Sequence, residues 1–253
     1  MSIAVIYAFI GLPLAVAILI AFNSGTVAAF PMQGLSLRWF AQALATQSFI
    51  DATLTSLWLA GGSVVISTPL ALAAAVGLSG ARFRGRAAVE AALLGPLFVP
   101  GIVIGIALLV AFGGIGLHDA RLRMLAGHTL ITLPYAMRTI TASLAKIETS
   151  LFEGARTLGA GEFSVFYRIT LPLLKPGIAA GVIFAFLESF GDVPVSMFLA
   201  DARNNTLPLA IMAYLEYNVD PTVAAISCMV TVSCLALAIF AERLVGLRSL
   251  TSG

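Results

Sequence analysis

Residues 148–199 read ETSLFEGARTLGAGEFSVFYRITLPLLKP and then GIAAGVIFAFLESFGDVPVSMFL, and the change of character at Gly177 decides the fold. Residues 177–199 are apolar throughout, with only Glu188 and Asp192 charged. A helix needs about 20 mainly apolar residues to cross the hydrocarbon of a bilayer. Lipid offers the backbone no hydrogen bonds, so a crossing segment must be a helix or part of a closed barrel. This run has none of the two-residue alternation of a barrel strand, which leaves the helix. Residues 148–176 are different: charged, amphipathic, and punctuated by Gly159, Gly161, Pro172 and Pro176.

The same apolar signature recurs outward from this join. Further runs occupy roughly residues 3–22, 53–78, 87–112, 124–144 and 221–241, giving six expected spans within a single domain covering residues 1–253. Composition agrees: 60% of the 253 residues are hydrophobic and 10% charged, and the mean hydropathy is +1.02. A soluble domain carries about 25% charged residues, so this chain has too few charges to cover a water-facing surface. The net charge of +2 gives no argument for nucleic acid. The apolar start lacks the basic flank of a cleavable signal and reads as a retained first span. The expected fold class is therefore all-α and polytopic.

Charge placement orients the spans. Arg82, Arg84, Arg86, Lys146, Arg156, Arg168, Lys175, Arg243 and Arg248 fall on one side, against Arg38, Arg121, Arg123 and Arg203 on the other. Basic residues concentrate on the cytoplasmic face, which places both termini there. On the outer side, residues 23–50 leave room for a short helix, with Trp39 and Phe40 as expected interfacial anchors. In the third span, Gly95-Pro96 and Pro100 predict a kink or break, because proline removes a backbone donor. Gly101/Gly105 and Gly177/Gly181 have the spacing of close helix contacts in lipid.

The cytoplasmic segment 145–176 carries the functional reading. Ser150 and Glu153 have the spacing of a capping box, which starts a helix with Leu151, Ala155 and Leu158 on one face. A second short helix over residues 162–170 presents Phe163 and Phe166, and Pro172 and Pro176 are expected to end it. Exposed apolar residues on such a corner suit either a partner's groove or the membrane surface. In Glu153-Gly154-Ala155, then Gly159, then Ile169-x-Leu171-Pro172, the chain resembles the EAA loop of type I ABC importer permeases. Three residues separate Ala155 from Gly159, and nine separate Gly159 from Ile169. Gly154 departs from the family's alanine. His128-Thr129-Leu130, Leu133-Pro134-Tyr135, Leu207-Pro208-Leu209 and Asp220-Pro221 extend the likeness toward the spermidine/putrescine branch. The resemblance implies a permease subunit in the bacterial inner membrane, working with two ATP-binding cassette subunits. It also implies a second permease, as a heterodimer, and a periplasmic or lipid-anchored solute-binding protein. Glu153, Gly154, Ala155, Gly159, Ile169, Leu171 and Pro172 would then contact and follow the ATPase.

Glu188 and Asp192 lie one helical turn apart on one face, well inside a span. An acid at the bilayer centre costs roughly 2.5–3.5 kcal/mol by insertion scales. Two readings offset that cost: a water-filled translocation path for a cationic solute, or internal partners such as Arg138 and Ser189. The polyamine branch often carries an acid where Gly191 stands here. The chain has no G-x-x-x-x-G-K-[ST] phosphate loop, no H-E-x-x-H and no G-x-S-x-G, so no ATPase or hydrolase site of those kinds is expected. No cofactor and no metal site are expected either, and His128 reads as a packing residue. A secondary transporter driven by an ion gradient is the alternative function, resting on Glu188 and Asp192. It lacks support from any second broken, acidic span in the first half.

Overall fold

The computed structural model describes residues 3–29, 31–80 and 83–245. The elements are α1 (Ile3–Ala21), α2 (Arg38–Ala45), α3 (Gln47–Gly80), α4 (Arg86–Leu94), α5 (Gly101–Gly114), α6 (Ala120–Leu144), α7 (Thr149–Thr157), α8 (Glu162–Val165), α9 (Leu171–Gly191), α10 (Pro194–Leu199), α11 (Leu207–Tyr217) and α12 (Thr222–Val245). A 3-10 turn, Gly95–Leu97, follows α4, and a π turn, Phe166–Thr170, joins α8 to α9. Among the described residues the one β contact is an isolated bridge between Asn23 and Leu35.

Among the described residues, three helices are long and apolar enough to cross a membrane: Gln47–Gly80, Glu162–Gly191 and Thr222–Phe240. Arg86–Leu97 and Gly101–Gly114 are together apolar and long enough for a further, broken span or a re-entrant loop, and they are bent by 107° at the break. The expected break at Gly95-Pro96 and Pro100 is therefore a sharp turn rather than a mild kink. α6 has the length of a span, 25 residues, but Arg138, His128 and four threonines make it more polar than the others. It is bordered by protein: Met124, His128, Ile131, Thr132, Ala136, Met137 and Ile140 are all buried. Protein neighbours satisfy polar groups that lipid cannot.

The chain divides into two compact units. The first comprises Met1–Thr55 and Asn205–Leu237, and the second Ser56–Asn204 and Ala238–Gly253. In the first, Ala21, Trp39 and Ala225 form the buried centre. Trp39, expected from sequence as an interfacial anchor, is buried within the protein: its indole donates to the Asn23 carbonyl at 2.8 Å, and the Arg38 guanidinium lies over the ring at 4.3 Å. The Asn23 side chain explains why the indole is drawn inward. Its Oδ1 accepts from Gly25 N and Gln33 N, both at 3.0 Å, folding residues 22–36 into a closed loop beneath α2.

In the second unit, α6 packs along α9. Gly177 abuts Ser143, and Gly181 leaves room for Ala136 and Thr139. The other small-residue pair seats α10 on α5, with Pro194 against Gly101, and Phe198 and the Pro194 carbonyl against Gly105. One apolar cluster gathers Ala71, Ala75, Leu78, Ala136, Met137, Ile140 and Leu174. A second gathers Leu59, Ile104, Met124, Ile131, Val195 and Leu199.

The fifth expected span is displaced. The apolar helix ends at Gly191 rather than at residue 199, and it begins at Glu162. Pro172 and Pro176 do not interrupt it. Pro172 lies in the first turn of α9, directly after the π turn, where the Leu171 amide bonds the Phe166 carbonyl five residues back. The widened turn gives the ring more room, and the helix continues although Pro172 supplies no donor. Arg82 and Arg248, which enter the charge count above, lie outside the described residues.

Candidate functional site

The segment between α6 and α9 forms a two-helix elbow. α7 begins one residue before the expected capping box, with Glu148 extended at its N-cap. Ser150 therefore sits inside the first turn, where its hydroxyl donates to Glu148 Oε2 at 3.1 Å. At the other end, Gly159 has φ +85°. The Ala160 amide reaches the Ala155 carbonyl at 3.0 Å, and the Gly159 amide reaches the Arg156 carbonyl at 2.9 Å. These two bonds make a complete Schellman motif, which needs a left-handed residue at the position Gly159 occupies. Beyond the turn, Arg156 Nε and its terminal nitrogen donate to the two carboxylate oxygens of Glu162 at 2.7 and 3.0 Å. This fork joins α7 to α8 across the glycine. The hydrogen bond from Arg156, aided by its charge, holds the Glu162 carboxyl below its ordinary range although desolvation opposes it.

The seven residues of the EAA pattern divide between the arms. Glu153, Gly154 and Ala155 lie on α7, Gly159 makes the turn, and Ile169, Leu171 and Pro172 cover the π turn and the first turn of α9. Glu153 is exposed and Ala155 half-buried. Leu158 is 89% exposed and Phe163 77%, so the elbow presents large apolar side chains that this chain does not cover. Phe163 stacks with Tyr167 at 4.5 Å rather than with Phe166. Sequence reading missed the Arg156–Glu162 fork. Opposite charges six residues apart do not meet on one straight helix, and they become neighbours only once the glycine turn folds the chain back.

The second cluster lies where two helix breaks face each other. A cavity of about 380 Å³ is bounded by the α4–α5 bend at Pro96–Gly101, by the α9–α10 break at Leu187–Val195, and by Tyr135 of α6. Glu188, Asp192 and Tyr135 are its polar lining. Glu188 is half-buried and interacts with the Tyr135 hydroxyl. Asp192 is 8% exposed and acts as a cap: its two oxygens accept from Ser196 N at 2.8 Å and from Val195 N at 3.4 Å. The two acids share a cavity but differ in partner: Glu188 meets the Tyr135 hydroxyl of α6, whereas Asp192 accepts from the first-turn amides of α10. Arg138 is exposed, and Ser189 is occupied elsewhere. His128, fully buried, lies 2.8 Å through Nδ1 from Ser189 Oγ and 3.0 Å through Nε2 from Ser196 Oγ. Among the described residues no group of three or more His, Cys, Asp or Glu side chains is placed to hold a metal ion.

A family model for the binding-protein-dependent transport system inner membrane component matches residues 67–246. The spermidine/putrescine transport system permease protein PotC of Escherichia coli (strain K12) is 32% identical over 237 residues, covering 94% of this chain and 89% of the relative. The putrescine transport system permease protein PotI of the same organism is 28% identical over 88% of this chain and 82% of its own. The molybdenum transport system permease protein ModB of Mycobacterium bovis (strain ATCC BAA-935 / AF2122/97) is 31% identical over 83% of this chain and 86% of its own. A crystal structure of a bacterial ABC transporter involved in the import of the acidic polysaccharide alginate has the same fold. Its TM-score is 0.75 over 98% of this chain and 93% of that one, at 18% identity. The family match takes in the bent span, the cavity and the whole elbow, and the chain accordingly belongs to the inner membrane permease components of binding-protein-dependent ABC importers.

Proposed function

We propose that this permease forms half of the translocation pathway for a small cationic organic solute, of the polyamine kind, and that the elbow couples it to an ATPase. The observation that carries the reading is the continuity of one helix. From Glu162 at the elbow to Gly191 at the cavity there is no break. At 1.5 Å per residue a helix of this length is a rod of about 45 Å. A push on the exposed Leu158–Phe163 corner reaches the Glu188 carboxylate through a single stiff element. Glu153, Gly154, Ala155 and Gly159 shape the part that meets the ATPase, and Ile169, Leu171 and Pro172 splice it to the rod.

The relatives carry names for both polyamine and molybdenum transport, so family membership alone leaves the solute open. The cavity favours a cation, because Glu188 attracts an ammonium group and repels an oxyanion at close range. In this reading the complex holds two ATPase subunits, a second, non-identical permease and a periplasmic or lipid-anchored binding protein. The chain sits in the bacterial inner membrane with six spans and both termini in the cytoplasm.

The test is reconstitution of the chain with the ATPase, second permease and binding protein encoded beside it. ATP-driven uptake of labelled putrescine and spermidine is measured in proteoliposomes, with molybdate as the contrasting solute. Amine uptake that needs ATP is the expected result, with Glu153→Ala lowering uptake per ATP hydrolysed and Glu188→Gln lowering uptake itself. Uptake without ATP, or a preference for molybdate, overturns it.

A further inference from the structure

α9 and α10 are separated by Asp192 and Val193, and nothing in the backbone alone fixes the angle between them. Asp192 caps α10 through the Ser196 amide, which orders the first turn of α10 without tying it to α9. Besides the seat of α10 on α5, a polar tie across the break comes from a third helix. His128 projects from α6 with no exposed surface. Its two ring nitrogens reach opposite sides of the break, Ser189 of α9 at 2.8 Å and Ser196 of α10 at 3.0 Å. Asp192 Oδ2 lies 3.7 Å from the same Nε2. Ser63 of α3 approaches Ser189 Oγ at 3.2 Å, so a fourth helix backs the α9 side. A planar ring with polar atoms on two edges suits this task, because it sets two distances and one plane at once. On its far side α10 supplies Pro194 and Val195 to the cavity wall, beside Gly191 and Glu188.

We propose that His128 is a positioning residue that clamps the α9–α10 break and thereby sets the opening of the cavity beside Glu188. The imidazole acts by bridging, and neither a metal nor a solute needs to touch it. Ser189 and Ser196 are the two ends of the clamp. Releasing either lets α10 swing on the Asp192–Val193 joint and changes access to Gly191.

The test reads that access directly in the full chain in membrane vesicles. A cysteine is placed by Gly191→Cys in a background with Cys228→Ser and Cys234→Ser, and its labelling by a water-soluble maleimide is timed. His128→Leu, which keeps bulk and removes both contacts, is expected to change the labelling rate about tenfold, the shift that one buried hydrogen bond supplies. His128→Gln, which keeps an amide donor and acceptor near Nε2, is expected to restore most of the original rate. Ser189→Ala and Ser196→Ala are each expected to move the rate in the same direction, and neither adds to His128→Leu. An unchanged rate in His128→Leu, or full additivity of the serine variants with it, overturns the clamp. If His128→Leu does not insert, Ser196→Ala decides alone, since it removes one hydroxyl and an unchanged rate there overturns the proposal. The assay uses no solute, ATP or partner, so its failure leaves the transport reading untouched.

Discussion

Gly181→Ala tests whether the contact between α6 and α9 is as close as the structure shows. A methyl group at Gly181 would lie 2.7 Å from Thr139 Oγ1, 3.1 Å from Ala136 Cα and 3.3 Å from the Ala136 carbonyl oxygen. The threonine cannot turn away freely, because its hydroxyl donates to that same carbonyl at 2.9 Å. Carbon atoms prefer separations of about 3.5–4.0 Å, so the helices must part by roughly half an ångström. Overpacking of this kind costs about 1–3 kcal/mol. Alanine also stabilises a helix by up to about 1 kcal/mol relative to glycine, which hides part of the cost. Gly61→Ala removes the ambiguity. Gly61 lies within α3, and its added methyl would meet nothing within 4 Å. It shares the helix gain and lacks the clash. The difference in unfolding free energy between the two variants, from denaturant titration of purified protein in detergent, should be about 1–3 kcal/mol against Gly181→Ala. Equal stability would mean that α6 and α9 do not approach at Gly181, and the α9 rod would lose its lateral support.

Four further substitutions probe the elbow. Arg156→Glu should weaken coupling by repelling Glu162, and adding Glu162→Arg should restore ATP-driven uptake; a double variant no better than the single assigns Arg156 to a partner instead. Because folding holds the Glu162 carboxyl below its ordinary range, the fork contributes fully above the unfolded carboxylate's pKa and is lost as pH falls through the lowered folded one. Spin labels on α7 and α8 should therefore broaden in distance in acid and not at neutral pH. Gly159→Ala places a side chain at φ +85°, at a cost of roughly 1–2 kcal/mol; the same spin labels should report a splayed elbow, with insertion unaffected. Gly154→Ala meets no atom within 4 Å and should stabilise α7 by up to about 1 kcal/mol, seen as slower proteolysis of the elbow with uptake retained.

The legible parts of this molecule are those where local chemistry and tertiary need coincide. Gly95-Pro96 and Pro100 announced a break because a lost donor is a local fact, and the 107° bend lies there. Gly177 and Gly181 have the spacing that lets helices approach closely, and α6 meets α9 at both positions. Trp39 was misread because its surroundings were missing from the local pattern. An indole at a membrane boundary and an indole buried beneath a loop look alike until Asn23 folds that loop over it. The same holds for Glu188 and Asp192. Sequence spacing put them on one face as equals, while the cap on α10 gives Asp192 a structural partner and leaves Glu188 facing the cavity.

Pro172 is the instructive failure. In a straight helix a proline at this position removes one hydrogen bond and collides with the carbonyl four residues back, so a termination is the sound local inference. The lost donor remains lost, and what the chain changes is the turn just before the proline, widened so that the Phe166 carbonyl accepts from Leu171 five residues on and the ring has more room. Such a turn has no composition signature, since FYRIT could equally begin an α-helix. Its consequence is mechanical. With a true break at Pro172 the elbow would hang on a flexible joint, and motion at Phe163 would dissipate before reaching Leu174, which is fully buried against Ala75 and Ile140. With the π turn the helix runs without interruption from exposed to buried surroundings. The proposed coupling requires a helix unbroken from Glu162 to Gly191, and the widened turn leaves it unbroken at Pro172.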